Sequence, residues 1–428
     1  MQIPDFYKLF QASTGVSTDT RSIKPGNIFF ALKGENFNGN GYALQALGAG
    51  ATYAVIDENI DSENAGLIRV DDALGYLQDL AKYHRSQFNI PFIGITGSNG
   101  KTTTKELVHA VLSTTYKTYT TEGNLNNHIG IPLTLLKVRP DAEMAIVEMG
   151  ANHLKEIEGY CIYAQPTHGL ITNCGKAHLE GFGSVEAIRK GKGELFDYLR
   201  RNNGTAFINN DYDYLLEMSR GINRIISYGS KQSDFTGVAA DSGDGFLRVN
   251  ITGGADLPLI STHLVGDYNL PNVLAAVAIG KTFDVPEADI LQALENYIPA
   301  NSRSQMIEKH GARFILDAYN ANPSSMRAAI MNFGKMAGNR KFILLGGMKE
   351  MGSESRNEHK ALVDLLTEYQ WEKVVLVGDE FLEVSEGYLH FSTAEEAKAW
   401  FSNQDLKDAL VLIKGSRGIR MEKLIEGF

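Results

Sequence analysis

Gly94-Ile95-Thr96-Gly97-Ser98-Asn99-Gly100-Lys101-Thr102-Thr103 follows an apolar run beginning at Phe92 and leads into a segment with Leu107, Val108, Val111 and Leu112 on one helical face. An apolar strand, a glycine-rich turn and a helix in that order predict a phosphate-binding loop. Glycines let backbone N–H groups turn toward an anion, and the helix N-terminus adds partial positive charge. Lys101 is placed to reach terminal phosphates and the Thr102 hydroxyl to ligate Mg²⁺. The expected ligand is ATP, held by Gly97, Ser98, Asn99, Gly100, Lys101, Thr102 and Thr103. The loop is tighter than the common G-x-x-x-x-G-K-[ST] form, because Ile95 rather than glycine stands five residues before Gly100.

Outward from the loop, short β-rich runs ending in Gly, Asn or Asp alternate with helix-like segments, the pattern of parallel α/β architecture. Strands are expected at 92–96, 118–121, 144–148, 169–173, 206–209 and 224–228, with hairpins and loops over 229–256. A second set at 314–317, 342–346, 374–378 and 410–414 predicts a separate doubly wound sheet with ligands at its carboxyl ends. The first 85 or so residues read as a small α/β unit, with strands at 27–31, 54–56 and 67–70 and one helix-like stretch near 43–49. Pro91 and Pro299 suggest the boundaries, near 87–90 and 298–301. The fold class is therefore α/β in three domains: a small N-terminal domain at 1–86, a central phosphate-loop domain of mostly parallel sheet with flanking helices at 87–299, and a C-terminal Rossmann-like domain at 300–428.

The bulk numbers agree with this division. A chain of 428 residues exceeds what one core usually organises, since domains cluster near ~100–200 residues. No apolar run reaches the ~18–20 residues of a membrane helix, and Met1-Gln2-Ile3-Pro4-Asp5 lacks the features of a secretory signal, so a cytoplasmic protein without a membrane partner is expected. Cys161 and Cys174 cannot staple a chain of this size, and with His168 and His178 they form no zinc-ribbon spacing, so both read as buried thiols. The net charge of −10 argues against nonspecific nucleic-acid binding.

A phosphate loop alone does not distinguish an enzyme from a switch or a motor. Five further stretches bear on that choice: Thr18-Asp19-Thr20-Arg21 with Phe30-Ala31-Leu32-Lys33-Gly34; Gly123-Asn124-Leu125-Asn126-Asn127; Glu148-Met149-Gly150-Ala151-Asn152-His153; Asp317-Ala318-Tyr319-Asn320-Ala321-Asn322-Pro323; and Lys414-Gly415-Ser416-Arg417. With the short loop Thr96–Thr102, they make the chain resemble the Mur ligases over essentially its whole length, and among them the members that add D-alanyl-D-alanine. The resemblance implies an ATP-dependent amide ligase joining D-alanyl-D-alanine to UDP-N-acetylmuramoyl-tripeptide through an acyl phosphate, in peptidoglycan precursor synthesis. It implies ATP and Mg²⁺ as cofactors, these two small molecules as partners, a monomer, and a sugar-nucleotide role for residues 1–86. The third residue of the tripeptide, diaminopimelate or lysine, stays open.

Making an amide from a carboxylate requires a better leaving group than oxide, so the reaction needs clustered cations around transferred phosphate. Glu148 closes an apolar strand, where a solvated carboxylate is the plain reading; the resemblance makes it a Mg²⁺ ligand. It likewise implies that His178 helps hold a second Mg²⁺ and that Lys192 is a carbamylated lysine ligating the metal, with Lys190 a competing assignment. Lys101, Lys192 and His178 are the implied catalytic residues. Asn269 and Asn272 correspond to the adenine-side motif, in which Tyr268 replaces the more usual histidine. Arg303 and Asp317 correspond to groups that approach ribose and phosphates when domains close. Thr20, Arg21, Lys33 and Gly34 match the uridine and diphosphate region, and Asn124, Asn126, Asn127, Tyr319, Asn320 and Asn322 the substrate region. Lys414 and Arg417 face either the dipeptide carboxylate or ATP. The rivals are another carboxylate–amine ligase, such as folylpolyglutamate synthetase or a tripeptide-forming Mur enzyme, and a nucleotide-driven switch or motor.

Overall fold

The computed structural model describes every residue except Ser242, Asn301, Glu386 and Phe428. Asn301 at the expected second boundary and Phe428 at the expected end of the third domain therefore lie outside the described residues. The phosphate-loop strand Phe92–Thr96 is interior to a nine-stranded sheet, between Met144–Glu148 and His168–Ile171. All five of its residues are buried, as expected for a parallel strand covered on both faces. Thr118–Thr120 lies beyond Met144–Glu148, while Thr205–Asn209 and Arg224–Gly229 extend the parallel order past His168–Ile171. The chain thus turns to one side of Phe92–Thr96 for its next two strands and to the other side for those that follow. That reversal opens a crevice at the strands' carboxyl ends. The polar stretch after Arg224–Gly229 forms the expected hairpin: Phe235–Ala240 pairs antiparallel with Phe246–Gly253, which pairs antiparallel with Ile260–Val265.

The third sheet runs Gln305–Lys309, Ala312–Asp317, Leu410–Lys414, Lys341–Gly346, Lys373–Val377, Leu389–Phe391, parallel except for its first pair. Its last strand in sequence, Leu410–Lys414, is inserted beside Ala312–Asp317 in a register that pairs Asp317 with Lys414. Two residues almost a hundred positions apart thereby become neighbours at one sheet edge.

The first region departs from the sequence expectation. Besides the four-stranded parallel sheet Gly15–Ser17, Asn27–Phe30, Tyr53–Ile56, Leu67–Arg69, it contains the helices Ile3–Ala12, Ala43–Gly48 and Ala73–Arg85, not one helical stretch. In Ala73–Arg85 the apolar positions Ala73, Leu77, Leu80 and Ala81 recur at helical spacing, so the sequence carries a signal for this helix that the expectation of one helical stretch did not use. Asp72 caps it by accepting a hydrogen bond from the Leu74 N–H, and Leu77, Leu80, Ala81 and His84 form the buried face. The helix packs on Gly130–Leu136 and Glu156–Ala164 of the middle region. Consequently one hydrophobic cluster runs from Phe6 through Leu195 to Leu412. Among the described residues no helix is long and apolar enough to cross a membrane.

Candidate active site

The phosphate loop occupies the crevice end of Phe92–Thr96. Gly97 has φ 145°, and a Cβ there would come within 1.9 Å of the Thr172 hydroxyl; Gly100 has φ 80° and heads the helix Lys101–Leu112. Both positions need glycine, because an L side chain rarely adopts these angles and here would also collide. The neighbouring strand's extension braces the loop. Thr172 Oγ1 and Asn173 Nδ2 donate to the Asn99 carbonyl at 2.6 and 3.0 Å, and Asn173 Oδ1 accepts from the Asn99 N–H at 3.1 Å. Ser98 Oγ donates to the Gly175 carbonyl at 2.7 Å. Asn173 was not singled out from sequence, although its place at a strand's carboxyl end beside the loop was a usable signal.

Lys101 folds back so that Nζ donates to the Gly97 and Ser98 carbonyls at 2.6 and 3.3 Å. The residue is only part-buried, yet its ammonium group is enclosed by the loop. That enclosure lowers its pKa, with Glu148 opposing the shift and the Arg303 cation adding to it. Thr102 is buried in the first helical turn, and Thr103 is half-buried beside it.

Glu148, 1% exposed, ends the adjacent strand. Its Oε1 accepts from Asn126 Nδ2 at 2.7 Å, while Oε2 is buried without a hydrogen-bond partner among the described residues. A buried carboxylate oxygen left unsatisfied is costly unless something else meets it. Among the described residues no group of three or more His, Cys, Asp or Glu is assembled to hold a metal. A single carboxylate nonetheless suits Mg²⁺, which keeps several waters and shares phosphate oxygens, so the orphan oxygen fits that ion.

Lys192 and Lys190 are separated by the fold. Lys190 is exposed, whereas Lys192 is 0% exposed, its Nζ donating to the Ala151 carbonyl at 2.8 Å. Burial, reinforced by the Lys101 cation, brings the Lys192 pKa down to about 7. Glu194, two residues further along the same helix, accepts from the Lys155 and Glu158 N–H groups at 2.7 and 2.9 Å and so anchors the segment that follows Glu148. Its bracing role was not legible from its place in Lys190–Glu194.

The third region meets the loop directly. Asn322 Nδ2 donates to Asn99 Oδ1 at 2.7 Å, while Asn322 Oδ1 accepts from the Ser325 N–H at 2.9 Å and caps the helix Pro323–Lys335. Lys176 pairs with Glu358 at 2.5 Å, and its N–H donates to Ser324 Oγ at 3.0 Å. His178 Nδ1 pairs with the Glu350 carboxylate. Lys414, 2% exposed, pairs with Asp317 at 2.5 Å. Arg303 lies 3.5 Å from the Tyr319 ring centroid and Arg417 5.2 Å from it.

Some expected residues are already engaged within the protein. Asn269 Nδ2 donates to the Val265 carbonyl at 2.9 Å and Asn272 Nδ2 to Asn269 Oδ1 at 2.8 Å, so both amides brace the helix Leu270–Thr282 beside Gly100. Asn127 Oδ1 accepts from the Ile129 and Gly130 N–H groups, at 3.1 and 2.9 Å. Asn124 is exposed, and so is Asn320, whose Oδ1 accepts from the Ala321 N–H at 2.9 Å. Thr20, Arg21, Lys33 and Gly34 lie apart, in the first region. Arg21 pairs with Asp19 at 2.7 Å, and Lys33 with Asp57 and Glu58 at 3.1 and 3.4 Å.

Three family models cover most of the chain: the Mur ligase family catalytic domain at residues 13–85, the Mur ligase middle domain at 95–280 and the Mur ligase glutamate ligase domain at 302–417. A curated relative from Bacillus subtilis (strain 168), a UDP-N-acetylmuramoyl-tripeptide–D-alanyl-D-alanine ligase, is 33% identical over 426 residues, covering 96% of this chain and 92% of the relative. A crystal structure of MurF from Acinetobacter baumannii superimposes with a TM-score of 0.89 at 30% identity, covering 99% of this chain and 98% of that one. MurF ligase from Thermotoga maritima in complex with ADP gives 0.87 at 25% identity, over 98% and 97% of the two chains. A phosphate loop braced from two sheets, a buried carboxylate beside it and full-length likeness to these enzymes lead to one conclusion: the chain belongs to the Mur ligase family.

Proposed function

We propose that this protein uses ATP to join D-alanyl-D-alanine to UDP-N-acetylmuramoyl-tripeptide, supplying the pentapeptide precursor of peptidoglycan in the cytoplasm. The observation that carries the reading is the proximity of Lys101, Glu148 and Lys192, with Asn322 and Arg303 of the third region reaching the same loop. The loop N–H groups and Lys101 receive the phosphates of ATP. The tripeptide's terminal carboxylate oxygen attacks the γ-phosphorus, the bond to the β-phosphate oxygen breaks, and ADP leaves. The dipeptide amine then attacks the acyl carbon; the tetrahedral intermediate loses phosphate and the nitrogen loses its proton. Arg303 and Lys101 stabilise charge on the transferred group, and the third region's closure over the loop keeps water from the acyl phosphate.

Glu148, Thr102, His178 through Nε2, and Lys192 as a carbamate are the residues that would hold Mg²⁺, which supplies charge neutralisation at the phosphate oxygens. Carbamylation adds CO₂ to a neutral amine with loss of a proton, and the buried Lys192 suits it better than the exposed Lys190. Asn269 and Asn272 border the adenine, and Asn124, Asn126, Asn127, Tyr319, Asn320 and Asn322 line the approach of the peptide. Thr20, Arg21, Lys33 and Gly34 receive the uridine diphosphate. Lys414 and Arg417 stand at the edge where the dipeptide and ATP meet.

The test is ADP release with each acceptor omitted in turn. Release that needs both UDP-muramoyl tripeptide and D-alanyl-D-alanine supports the reading; equal turnover with a lone amino acid and a dipeptide precursor overturns it. For the carbamate, Lys192→Ala should recover partly with short-chain carboxylic acids, and recovery by Lys190→Ala instead would move the assignment.

A further inference from the structure

Three cations stand at the carboxyl edge of the six-stranded sheet: Lys349, Lys414 and Arg417. Two already have carboxylate partners, Lys349 in Glu380 and Lys414 in Asp317. Arg417 is exposed and makes no ion pair among the described residues; its neighbour is Tyr319, whose hydroxyl lies 3.3 Å from Arg417 Nη1. Arg303 stacks on the same ring and is likewise without an ion pair among the described residues. An aromatic ring steadies a guanidinium group without neutralising it, as a carboxylate would. The result is two like charges at one ring, 3.5 and 5.2 Å from its centroid, each retaining its capacity for a planar, bidentate anion.

The proposed reaction brings two anions to this edge, the phosphoryl group and the free carboxylate of the incoming dipeptide. They are separated by the dipeptide itself, because its amine attacks beside the phosphoryl group while its carboxylate lies on the order of 7 Å further along the chain. Arg303 is the inner of the two arginines, half-buried where Arg417 is exposed, and its charge reaches Lys101. Arg417 is the outer one, whereas Lys414 is buried against Asp317. We propose, on the ligase reading above, that Arg417 is the receptor for the dipeptide's terminal carboxylate and that Tyr319 is the positioning residue that holds it beside Arg303. This assigns Arg417 to the dipeptide and not to ATP, and makes it a specificity residue for acceptors ending in a free carboxylate.

The probe is D-alanyl-D-alaninamide, which keeps the attacking amine and removes the carboxylate charge. In steady-state ADP release, the unmodified protein should show a KM for the amide about tenfold to a hundredfold above that for the dipeptide, the worth of a charge-assisted hydrogen bond. Arg417→Met should shrink that ratio to about threefold or less while leaving the KM for ATP nearly unchanged. Tyr319→Phe, which keeps the ring, should retain most of the discrimination, and Tyr319→Leu should lose it. Equal use of dipeptide and amide by the unmodified protein would overturn the proposal without touching the ligase reading. So would an Arg417→Met protein that still discriminates, or one whose KM for ATP rises more than its KM for the dipeptide. The comparison of acceptors on the unmodified protein needs no variant to fold, and absence of ligation with either acceptor would count against the ligase reading itself.

Discussion

Two regions of this molecule are proposed to meet phosphate groups, and they are built in opposite ways. In the first region, Arg21 has a side chain 89% exposed and is paired with Asp19, while Lys33 lies on a two-stranded hairpin and is paired with Asp57 and Glu58. The Arg21 guanidinium holds the Asp19 carboxyl down to about 2. In the middle region, Lys101 is held by the Gly97 and Ser98 carbonyls, Lys192 is buried, and Glu148 keeps an oxygen without a partner among the described residues. Exposed pairs exchange a protein carboxylate for a ligand phosphate at little cost, because water screens both states. Buried groups cannot reorganise cheaply, so their geometry has to be set by the fold before the ligand arrives. Recognising a sugar nucleotide tolerates the first design, whereas moving a phosphoryl group requires the second.

This contrast can be broken most sharply at the loop. Lys101→Met should lower turnover by about 10²–10³-fold or more in the ADP-release assay, with unfolding temperature little changed; a loss under tenfold would mean that the enclosed lysine does not meet the transferred phosphate. Gly97→Ala should come next. The added Cβ meets the Thr172 hydroxyl at a φ alanine rarely adopts, so ATP affinity by calorimetry should fall about tenfold or more and stability by about 1–3 kcal/mol. Unaltered binding would show that the loop accommodates the methyl group and is not preset.

Arg21→Ala should raise the KM for the sugar nucleotide only about two- to fivefold, and the effect should fade as salt is raised from 0.05 to about 0.5 M. A hundredfold loss insensitive to salt would place Arg21 in the same class as Lys101. The smallest effect is expected at the seam between these regions. His84 is buried, in hydrogen-bond contact with the Tyr7 hydroxyl and the Val138 carbonyl, and burial lowers its pKa. The folded protein therefore binds fewer protons at this site than the unfolded chain. Its contribution to stability is present above the ordinary histidine pKa of about 6.5 and declines as pH falls below it. Unfolding temperatures between pH 5 and 8 should show that decline in the parent protein and less of it in His84→Phe; identical profiles would remove His84 as its source.

Much of this architecture was legible in one dimension because the informative signals are local. The strand–glycine–helix order at Phe92–Leu112 places the loop, and the apolar runs at 144–148 and 410–414 coincide with their observed strands. The helices Ile3–Ala12 and Ala73–Arg85 and the edge strands Gln305–Lys309 and Leu389–Phe391 were not anticipated. Both helices do carry a local signal, apolar residues at helical spacing such as Phe6, Tyr7 and Phe10 or Leu77, Leu80 and Ala81, whereas the two edge strands are short and only partly buried and offer little. Within the candidate site, Lys101, Glu148 and Lys192 came from motif positions, whereas Asn173 and Glu194 act through hydrogen bonds to segments distant in sequence.

By itself, then, the sequence determined the phosphate loop, the α/β character of the sheets and the family resemblance, since each is written in residues a few positions apart. Only the tertiary structure distinguished Lys192 from Lys190, set Lys414 against Asp317 and placed Tyr319 beneath two arginines. Those outcomes depend on burial, strand register and charge pairing between distant segments, which are properties of the packed chain and not of any short stretch of it.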